Sequence, residues 1–351
     1  RNIKSISAGE ILYDGEGEEK AVLPSALQNK TITKITDELT EEVYYGNGTW
    51  TLERNTSNEK IVKNTIVYGA GNTVLGKVTI ISVAKVITKA SDLKSVGGEK
   101  SGTITGYYYV ANDIKYDASV EIKPVYHDYG TGSSFEGVFD GGNHTIEYGI
   151  TKGGLFGNLQ MATVKNAAFI VKSVNASSKD YGAYAILAGF MKKSNIQNVY
   201  AAYDVEFTPD LGEINEGNHR YRGLGLFAAS HDWDGPRVND VIVDLSKVKN
   251  ISSSDGNYGY GVIFAPLNSA YGYGNATNTY VIWAKKELCN YTVGKKVAVA
   301  ANDGEAYTAP EGYALQKLTG VTRYDTLADM AANVTKVGSL KITPRGVIWV
   351  D

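Results

Sequence analysis

The feature that most constrains how this chain can fold is an internal repeat between residues 133 and 286. A short apolar core occurs four times, and a segment built around an asparagine follows each core. From Phe156 to Ala188 is 32 residues, from Ala188 to Phe227 is 39, and from Phe227 to Phe264 is 37. The cores occupy 154–157, 186–189, 225–228 and 262–265, and the asparagine segments occupy 164–167, 196–199, 238–241 and 276–279.

This repeat predicts a β solenoid. The asparagine follows the apolar position by 10, 10, 12 and 14 residues in successive units, so this half of each unit is nearly constant while the Gly- and Ser-rich remainder absorbs the insertions. Constant strands joined by variable loops are typical of a solenoid, in which each unit buries its apolar side against its neighbours. Helical arrays have similar periods, but alternating Val, Ile, Tyr and Phe with Gly, Ser and Asn between them favour strands.

Two kinds of position in the repeat are predicted to be structural. Phe156, Phe227 and Phe264 are expected to stack inside the solenoid. The asparagines are expected to form a ladder at a bend, because an asparagine amide can bond the coils on either side and asparagine tolerates a left-handed backbone. These ladder residues are Asn166, Asn198, Asn239 and Asn278.

Residues 1–86 have a different pattern, in which short Val-, Ile- and Thr-rich segments alternate with turns. The clearest local signal is a hairpin whose strands, 42–45 and 49–52, flank Gly46-Asn47-Gly48. Asn-Gly adopts the positive φ angles that tight hairpin turns require. About five to seven such strands predict an immunoglobulin-like β-sandwich.

Length, charge and cysteine content exclude several classes of protein. The 351 residues predict about two domains. A net charge of -3, from 35 Lys and Arg against 38 Asp and Glu, argues against a nucleic-acid partner. The single cysteine, Cys289, excludes a disulfide scaffold. No stretch approaches the ~18 apolar residues that a transmembrane segment needs.

Several motifs carry a family resemblance. Residues 134–146 are Ser-Phe-Glu-Gly-Val-Phe-Asp-Gly-Gly-Asn-His-Thr-Ile, followed by Gly-Gly-Leu-Phe-Gly at 153–157 and Val-Lys-Asn-Ala at 164–167. These motifs resemble the GLUG-motif and pectin-lyase-like right-handed parallel β-helix proteins of bacterial cell surfaces. The resemblance covers about residues 87–286 and is strongest at 134–170. It implies a location outside the cell or in the cell envelope and an elongated binding surface, but no particular activity.

The predicted fold class is therefore all-β, in three segments. An immunoglobulin-like sandwich is expected at 1–86 and a right-handed parallel β-helix at 87–300. Residues 301–351, with a helix-like run and a final Pro-Arg-Gly-Val-Ile-Trp-Val, are expected to cap the solenoid. A cap is needed because the last coil otherwise exposes unpaired backbone and apolar side chains.

The strongest candidate for ligand binding is an insertion around residue 233. A tryptophan beside aspartate and arginine can stack on a sugar ring and bond its hydroxyls. Asp232 and Asp234 are also weak calcium candidates, because they supply only part of the six or more oxygens that calcium takes. A solvated loop is the alternative interpretation. The candidate residues are Arg222, His231, Asp232, Trp233, Asp234 and Arg237.

No catalytic residue is predicted. The four histidines have no metal-ligand spacing, and no Gly-x-Ser-x-Gly elbow is present. The Asn-Thr-Asp, Asp-Asp and Gly-His-Gly runs of polygalacturonase-like enzymes are also missing. A calcium site of the pectate-lyase kind, assembled from acidic residues on adjacent coils, stays open, so calcium is the one cofactor under consideration.

We therefore expect a non-catalytic bacterial surface or secreted protein that acts in adhesion or glycan binding through the β-helix face. Its partner would be a carbohydrate or a protein on a host or cell surface. Two alternatives stay open. One is a polysaccharide lyase or hydrolase acting on an acidic glycan, and the other is a purely structural stalk segment of a larger wall protein.

Overall fold

The computed structural model describes most of the repeat and of the segments that flank it. The described residues are 7–15, 21–97, 102–123, 134–151, 154–175, 184–209, 224–230, 236–250, 260–263, 275–285, 287–293, 295–300, 313–317 and 320–350.

The described secondary structure is mostly β, which confirms the coarse fold class. The first strands are β1 (Ser7–Tyr13), β2 (Ala21–Val22), β3 (Lys34–Asp37), β4 (Val43–Gly46), β5 (Thr49–Trp50), β6 (Ile61–Tyr68), β7 (Val74–Ser82), β8 (Lys85–Ile87), β9 (Thr103–Ile104), β10 (Tyr107–Val110), β11 (Ser134–Phe135), β12 (Val138–Ile150), β13 (Asn158–Gln160) and β14 (Thr163–Val174). They are followed by β15 (Tyr184–Lys192), β16 (Asn195–Tyr203), β17 (Leu224–Ser230), β18 (Arg237–Asp244), β19 (Tyr260–Gly261), β20 (Asn275–Ile282), β21 (Glu287–Val293), β22 (Lys295–Ala300), β23 (Tyr313–Lys317), β24 (Val321–Tyr324), β25 (Lys336–Val337), β26 (Leu340–Thr343) and β27 (Gly346–Trp349). Short helices are α1 (Ser25–Gln28), α2 (Lys94–Gly97) and α3 (Leu327–Asn333), with 3₁₀ turns at Ala70–Asn72 and Ala90–Leu93.

The chain divides into two compact units. Unit 1 comprises Arg1–Ile87 and Thr105–Ala111, and unit 2 comprises Thr88–Ile104 and Asn112–Asp351. The predicted boundary between residues 86 and 87 lies next to this division. Unit 2 contains the segment predicted as the cap and most of the segment predicted as a β-helix, apart from Ile87 and Thr105–Ala111, which belong to unit 1.

Unit 1 is built on a seven-stranded sheet in the order β2-β1-β7-β6-β3-β4-β5. Most neighbours are antiparallel, but β1 and β7 are parallel. The predicted hairpin is β4 and β5, and its turn has positive φ at Asn47 and Gly48 as Asn-Gly allows. One face of this sheet buries Ile11, Ile35 and Ile80 in an apolar core.

Unit 2 contains two sheets of parallel strands between which the chain alternates. We call β12, β14, β16, β18, β20 and β24 the main sheet, and β9, β11, β13, β15 and β17 the second sheet; each set is hydrogen-bonded in this order. A strand of the second sheet precedes each of β12, β14, β16 and β18 along the chain. Parallel neighbours therefore come from successive repeats, as the spacing in the sequence requires.

Aromatic side chains fill the interior between the two sheets. Phe156, in the first repeat core, lies 5.3 Å from Phe135 and 5.3 Å from Phe139 between ring centroids. Phe169 of β14 extends the cluster. Phe227 is fully buried and pairs with Ala188 in the second sheet, which is the correspondence that the repeat predicts. Phe264 lies outside the described residues.

The repeat ends after β20. Residues 287–293 and 295–300, which lie in the segment predicted as the β-helix, form β21 and β22 of a separate sheet in the order β19-β21-β22-β23. The chain then returns to the main sheet as β24, which pairs in parallel with β20.

The C-terminal residues cover the flank of the main sheet. Helix α3 and the antiparallel strands β25, β26 and β27 pack Met330 and Leu340 against Ile242 and Ile282. This tail therefore buries an outward apolar row of the main sheet in addition to providing β24. Among the described residues, no helix is long and apolar enough to cross a bilayer.

Candidate binding face

Only one of the predicted ligand-binding residues lies within the described structure. Arg237 begins strand β18, with its side chain exposed. Its backbone N–H donates to the carbonyl of Ser194 at 2.9 Å, which fixes the start of this strand against β16. Arg222, His231, Asp232, Trp233 and Asp234 lie outside the described residues, as do both calcium candidates.

Arg237 belongs to a regular polar surface on the main sheet. In register, it pairs with Asn195 on one side and with Asn275 on the other. Two positions further along, Asn239 pairs with Gln197 and with Thr277. We call this surface the amide-rich face; it consists of Thr163, Lys165, Asn195, Gln197, Arg237, Asn239, Asn275 and Thr277.

Strand alternation explains why these side chains point outward. The residue between the two outer positions is apolar in each repeat, and Val164, Ile196 and Val238 are at most 1% exposed. Because successive side chains in a strand point to opposite faces, the residues on either side must point to solvent. The sequence pattern polar-apolar-polar, followed by Asn or Asp, thus places two rows of polar groups on the outer side of the sheet, and the apolar residue between them is buried on the inner side.

A bend in each strand delimits this face. The corner residues Asn166, Asn198, Asp240 and Asn278 have positive φ angles between 43° and 55°. The third corner corrects the sequence prediction, which placed Asn239 in the ladder. Asn239 is one residue too early, because Asn198 lies between positions that pair with Asn239 and Val241. Aspartate serves at this corner because it also tolerates the left-handed region.

Side-chain hydrogen bonds link these corners from strand to strand. Asn166 Nδ2 donates to Asp140 Oδ1 at 3.1 Å, and Asn198 Nδ2 donates to Asn166 Oδ1 at 2.9 Å. Asn278 Nδ2 donates to Asp240 Oδ1 at 2.7 Å. Asn239 takes a supporting part, since its Nδ2 donates to Asp240 Oδ2 at 3.4 Å.

The C-terminal tail lies between Asn198 and Asp240, the two corner residues at the centre of the ladder. The backbone N–H of Ser339 donates to Asn198 Oδ1 at 2.8 Å. Gly338 precedes it with φ of +56°, and a Cβ there would lie 2.3 Å from Asn198 Oδ1 and 3.2 Å from Asp240 Cβ. The ladder therefore has a tail turn inserted between Asn198 and Asp240.

Charge on the amide-rich face is sparse. Lys165 Nζ lies 3.9 Å from Asp140 Oδ2, so this cation has a carboxylate near it. Arg237 brings a second cation to the middle of the face. The other members carry amides and hydroxyls, which both donate and accept hydrogen bonds. The surface can therefore bind hydroxyl-rich ligands and retains a positive contribution at Arg237.

The described residues contain no group of three His, Cys, Asp or Glu side chains placed to share a metal ion. Comparisons with protein families, curated proteins and solved structures found no match to this chain.

Sequence reasoning missed most of the amide-rich face. It identified Arg237 for its proximity to Trp233, and it identified the asparagine segments as structural only. The available signal was the polar residue on either side of the buried apolar position, repeated in Thr163-Val164-Lys165, Asn195-Ile196-Gln197 and Arg237-Val238-Asn239. Read as strands in parallel register, these triplets predict two outward rows.

Proposed function

We propose that this chain is a non-catalytic secreted or cell-surface protein that binds a linear carbohydrate along the amide-rich face. The observation that carries this proposal is the repetition of amide and hydroxyl side chains in four neighbouring strands, at the ~4.8 Å spacing of a β-sheet. An extended glycan presents hydroxyl groups at a comparable repeat. Each sugar unit can therefore meet the side chains of about one strand.

The architecture that we propose for unit 2 is a right-handed parallel β-helix. Alternation between the main and second sheets supports it, and crossovers between parallel strands are right-handed in about 98% of cases. An immunoglobulin-like module is proposed for residues 1–86. The resemblance to bacterial surface β-helix proteins supports a location outside the cell or in its envelope.

Arg237 favours one alternative, an enzyme acting on an acidic glycan. A guanidinium in the middle of the face can pair with the carboxylate of a uronic acid. The functional test must therefore include acidic polymers and must detect chain cleavage as well as binding.

The test is glycan-array screening of the full chain followed by calorimetry with the polymers that bind. The variant is Asn195→Ala combined with Asn275→Ala, which removes the two amides on either side of Arg237. We expect binding to weaken at least about tenfold, because two hydrogen-bonding groups are lost at the centre of the face.

The matched control is Asn64→Ala, which removes an exposed strand asparagine from β6 of unit 1 and is expected to leave binding unchanged. Binding that is insensitive to the double variant would contradict the proposal, as would an array without any bound glycan. Release of shortened products from pectin or alginate, abolished by Arg237→Ala, would support the enzyme instead.

A further inference from the structure

A separate cleft in unit 2 lies beside the loop that follows Ile114. Its volume is about 570 Å³, within the range of small-molecule pockets. The lining is formed by residues 116–123, by the end of strand β12 and by the end of strand β14. The lining includes Tyr116, Glu121, Lys123, Gly149, Ser173 and Asn175.

The floor of the cleft depends on a glycine and a β-bulge. Tyr148 pairs with Val171, but Gly149 pairs with Ser173, so β14 contains one extra residue at this point. A Cβ at Gly149 would lie 2.4 Å from Ser173 Oγ and 3.4 Å from Tyr116 Cε2. The absence of a Cβ at Gly149 therefore leaves room for the side chains of Ser173 and Tyr116. The bulge beside it redirects side chains locally, as bulges often do at functional sites.

The wall of the cleft is held in place by hydrogen bonds. The backbone N–H of Tyr116 donates to Glu147 Oε2 at 3.2 Å, and the Tyr116 hydroxyl donates to Ser173 Oγ at 3.0 Å. At the other end of the loop, Thr151 Oγ1 donates to the carbonyl of Ile122 at 2.9 Å. A wall fixed at both ends loses little conformational freedom when a ligand binds.

The charges at the cleft are paired locally. Lys123 Nζ lies 2.9 Å from Glu121 Oε2, and Lys115 Nζ lies 3.4 Å from Glu147 Oε1. The Asp117 carboxylate accepts from the hydroxyl and the N–H of Ser119, which lowers its pKa. Paired charges leave an aromatic ring, hydroxyls and the exposed Asn175 amide as the groups available to a ligand.

We propose that this cleft is a second binding site, specific for a neutral hexose or for the neutral hexose end of a glycan. The Tyr116 ring provides a surface for the C–H face of a sugar, and Ser173 and Asn175 provide hydrogen-bonding groups for its hydroxyls. The Glu121–Lys123 pair leaves no net charge on this wall of the cleft, which favours a neutral sugar over an ionic ligand. This inference does not depend on carbohydrate binding at the amide-rich face.

The experiment is saturation-transfer NMR, with calorimetry for affinity, using glucose, galactose, mannose, maltose and lactose on the full chain. Asn175→Ala is expected to weaken binding about tenfold through the loss of one amide. Asn175→Trp is expected to abolish binding, because the indole fills the cleft from an exposed position where folding is not at risk. Asn64→Ala in β6 of unit 1 is the control and should bind these sugars normally, while the Asn195→Ala and Asn275→Ala double variant (the face variant) reports whether the sugars occupy the amide-rich face instead.

The proposal is overturned if none of the five sugars binds, or if Asn175→Trp binds as well as the parent protein. Loss of sugar binding in the face variant would also overturn it, since the ligand would then occupy the amide-rich face. If the face variant binds polymers as well as the parent protein does, and Asn175→Trp abolishes hexose binding, then only the function proposed for the amide-rich face is rejected.

Discussion

Asp37 illustrates how the pKa of a single partly buried side chain is set by its neighbours. Its Oδ1 accepts from the N–H groups of Thr40 and Leu39, both at 2.8 Å, and its Oδ2 accepts from the Tyr44 hydroxyl at 3.1 Å. These bonds, led by that from Thr40, lower the pKa of Asp37 from 3.8 to about 2. Burial, together with the bond to Asp37, raises the pKa of Tyr44 to about 12.

A pH-dependent contribution to stability follows from Asp37. A carboxyl whose folded pKa is lowered stabilises the fold above its ordinary value of 3.8, and this contribution is lost as the pH falls towards about 2. We predict that Asp37→Asn destabilises unit 1 at neutral pH and that the difference from the parent protein shrinks between about pH 4 and pH 2. Urea unfolding at several pH values, with unit 1 followed by hydrogen exchange of the amides in β3 and β4, measures this difference.

Asp37→Asn is informative because the asparagine Oδ1 can still accept the two backbone bonds, while the charge and the acceptor for the Tyr44 hydroxyl are lost. Asp117→Asn at a similar turn in unit 2 is the control, and it should leave the unfolding of unit 1 unchanged. A stability difference that stays constant across this pH range would show that the charge of Asp37 has no part in the effect.

At the scale of elements, the contact between the C-terminal tail and the corner ladder is the most constrained feature. Gly338 has a φ of +56°, and a Cβ added at this position would lie only 2.3 Å from Asn198 Oδ1. A side chain at this position must displace the tail or break the bond from Ser339 to Asn198. Met330, Val337 and Leu340 would then lose part of their packing on the main sheet.

We therefore predict that Gly338→Ala lowers the free energy of unfolding of unit 2 by about 1–3 kcal/mol, from backbone strain and steric conflict. Hydrogen exchange should show faster exchange in β25 and β26. Gly346→Ala is the matched control in the same small sheet, because no heavy atom lies within 4 Å of its added Cβ. Equal effects of the two substitutions would contradict the role assigned to the Gly338 turn.

At the scale of the whole molecule, the amide-rich face sets the length of ligand that can be bound. Four strands at ~4.8 Å spacing place the outermost side chains of one row about 14 Å apart. We predict that affinity for a linear oligosaccharide rises from one to about four sugar units and then stays constant. Calorimetry with a series of defined lengths from a polymer that binds tests this, and affinity independent of length would argue for a site smaller than the face.

Much of the architecture of unit 2 was predictable from the repeat. The regular spacing predicted parallel pairing of successive units, and the buried Phe156 and Phe227 have the interior positions that it required. The ladder was predicted at three of its corners but was wrong at Asn239, because an Asn-Asp pair leaves two residues able to adopt the left-handed conformation. The register with β16 and the positive φ of Asp240 identify Asp240 as the corner residue.

The sequence by itself determined the strand-rich composition of the fold, the repeating unit and the kinds of residue that bend it, since these depend on local backbone preference and on alternation of apolar side chains. The tertiary structure decided which polar side chains share a surface and where the tail binds. Asn195, Arg237 and Asn275 are neighbours only because three strands far apart in sequence pair in one register. The contacts of Gly338 with Asn198 and of Tyr116 with Ser173 likewise join distant residues through packing, which no local pattern encodes.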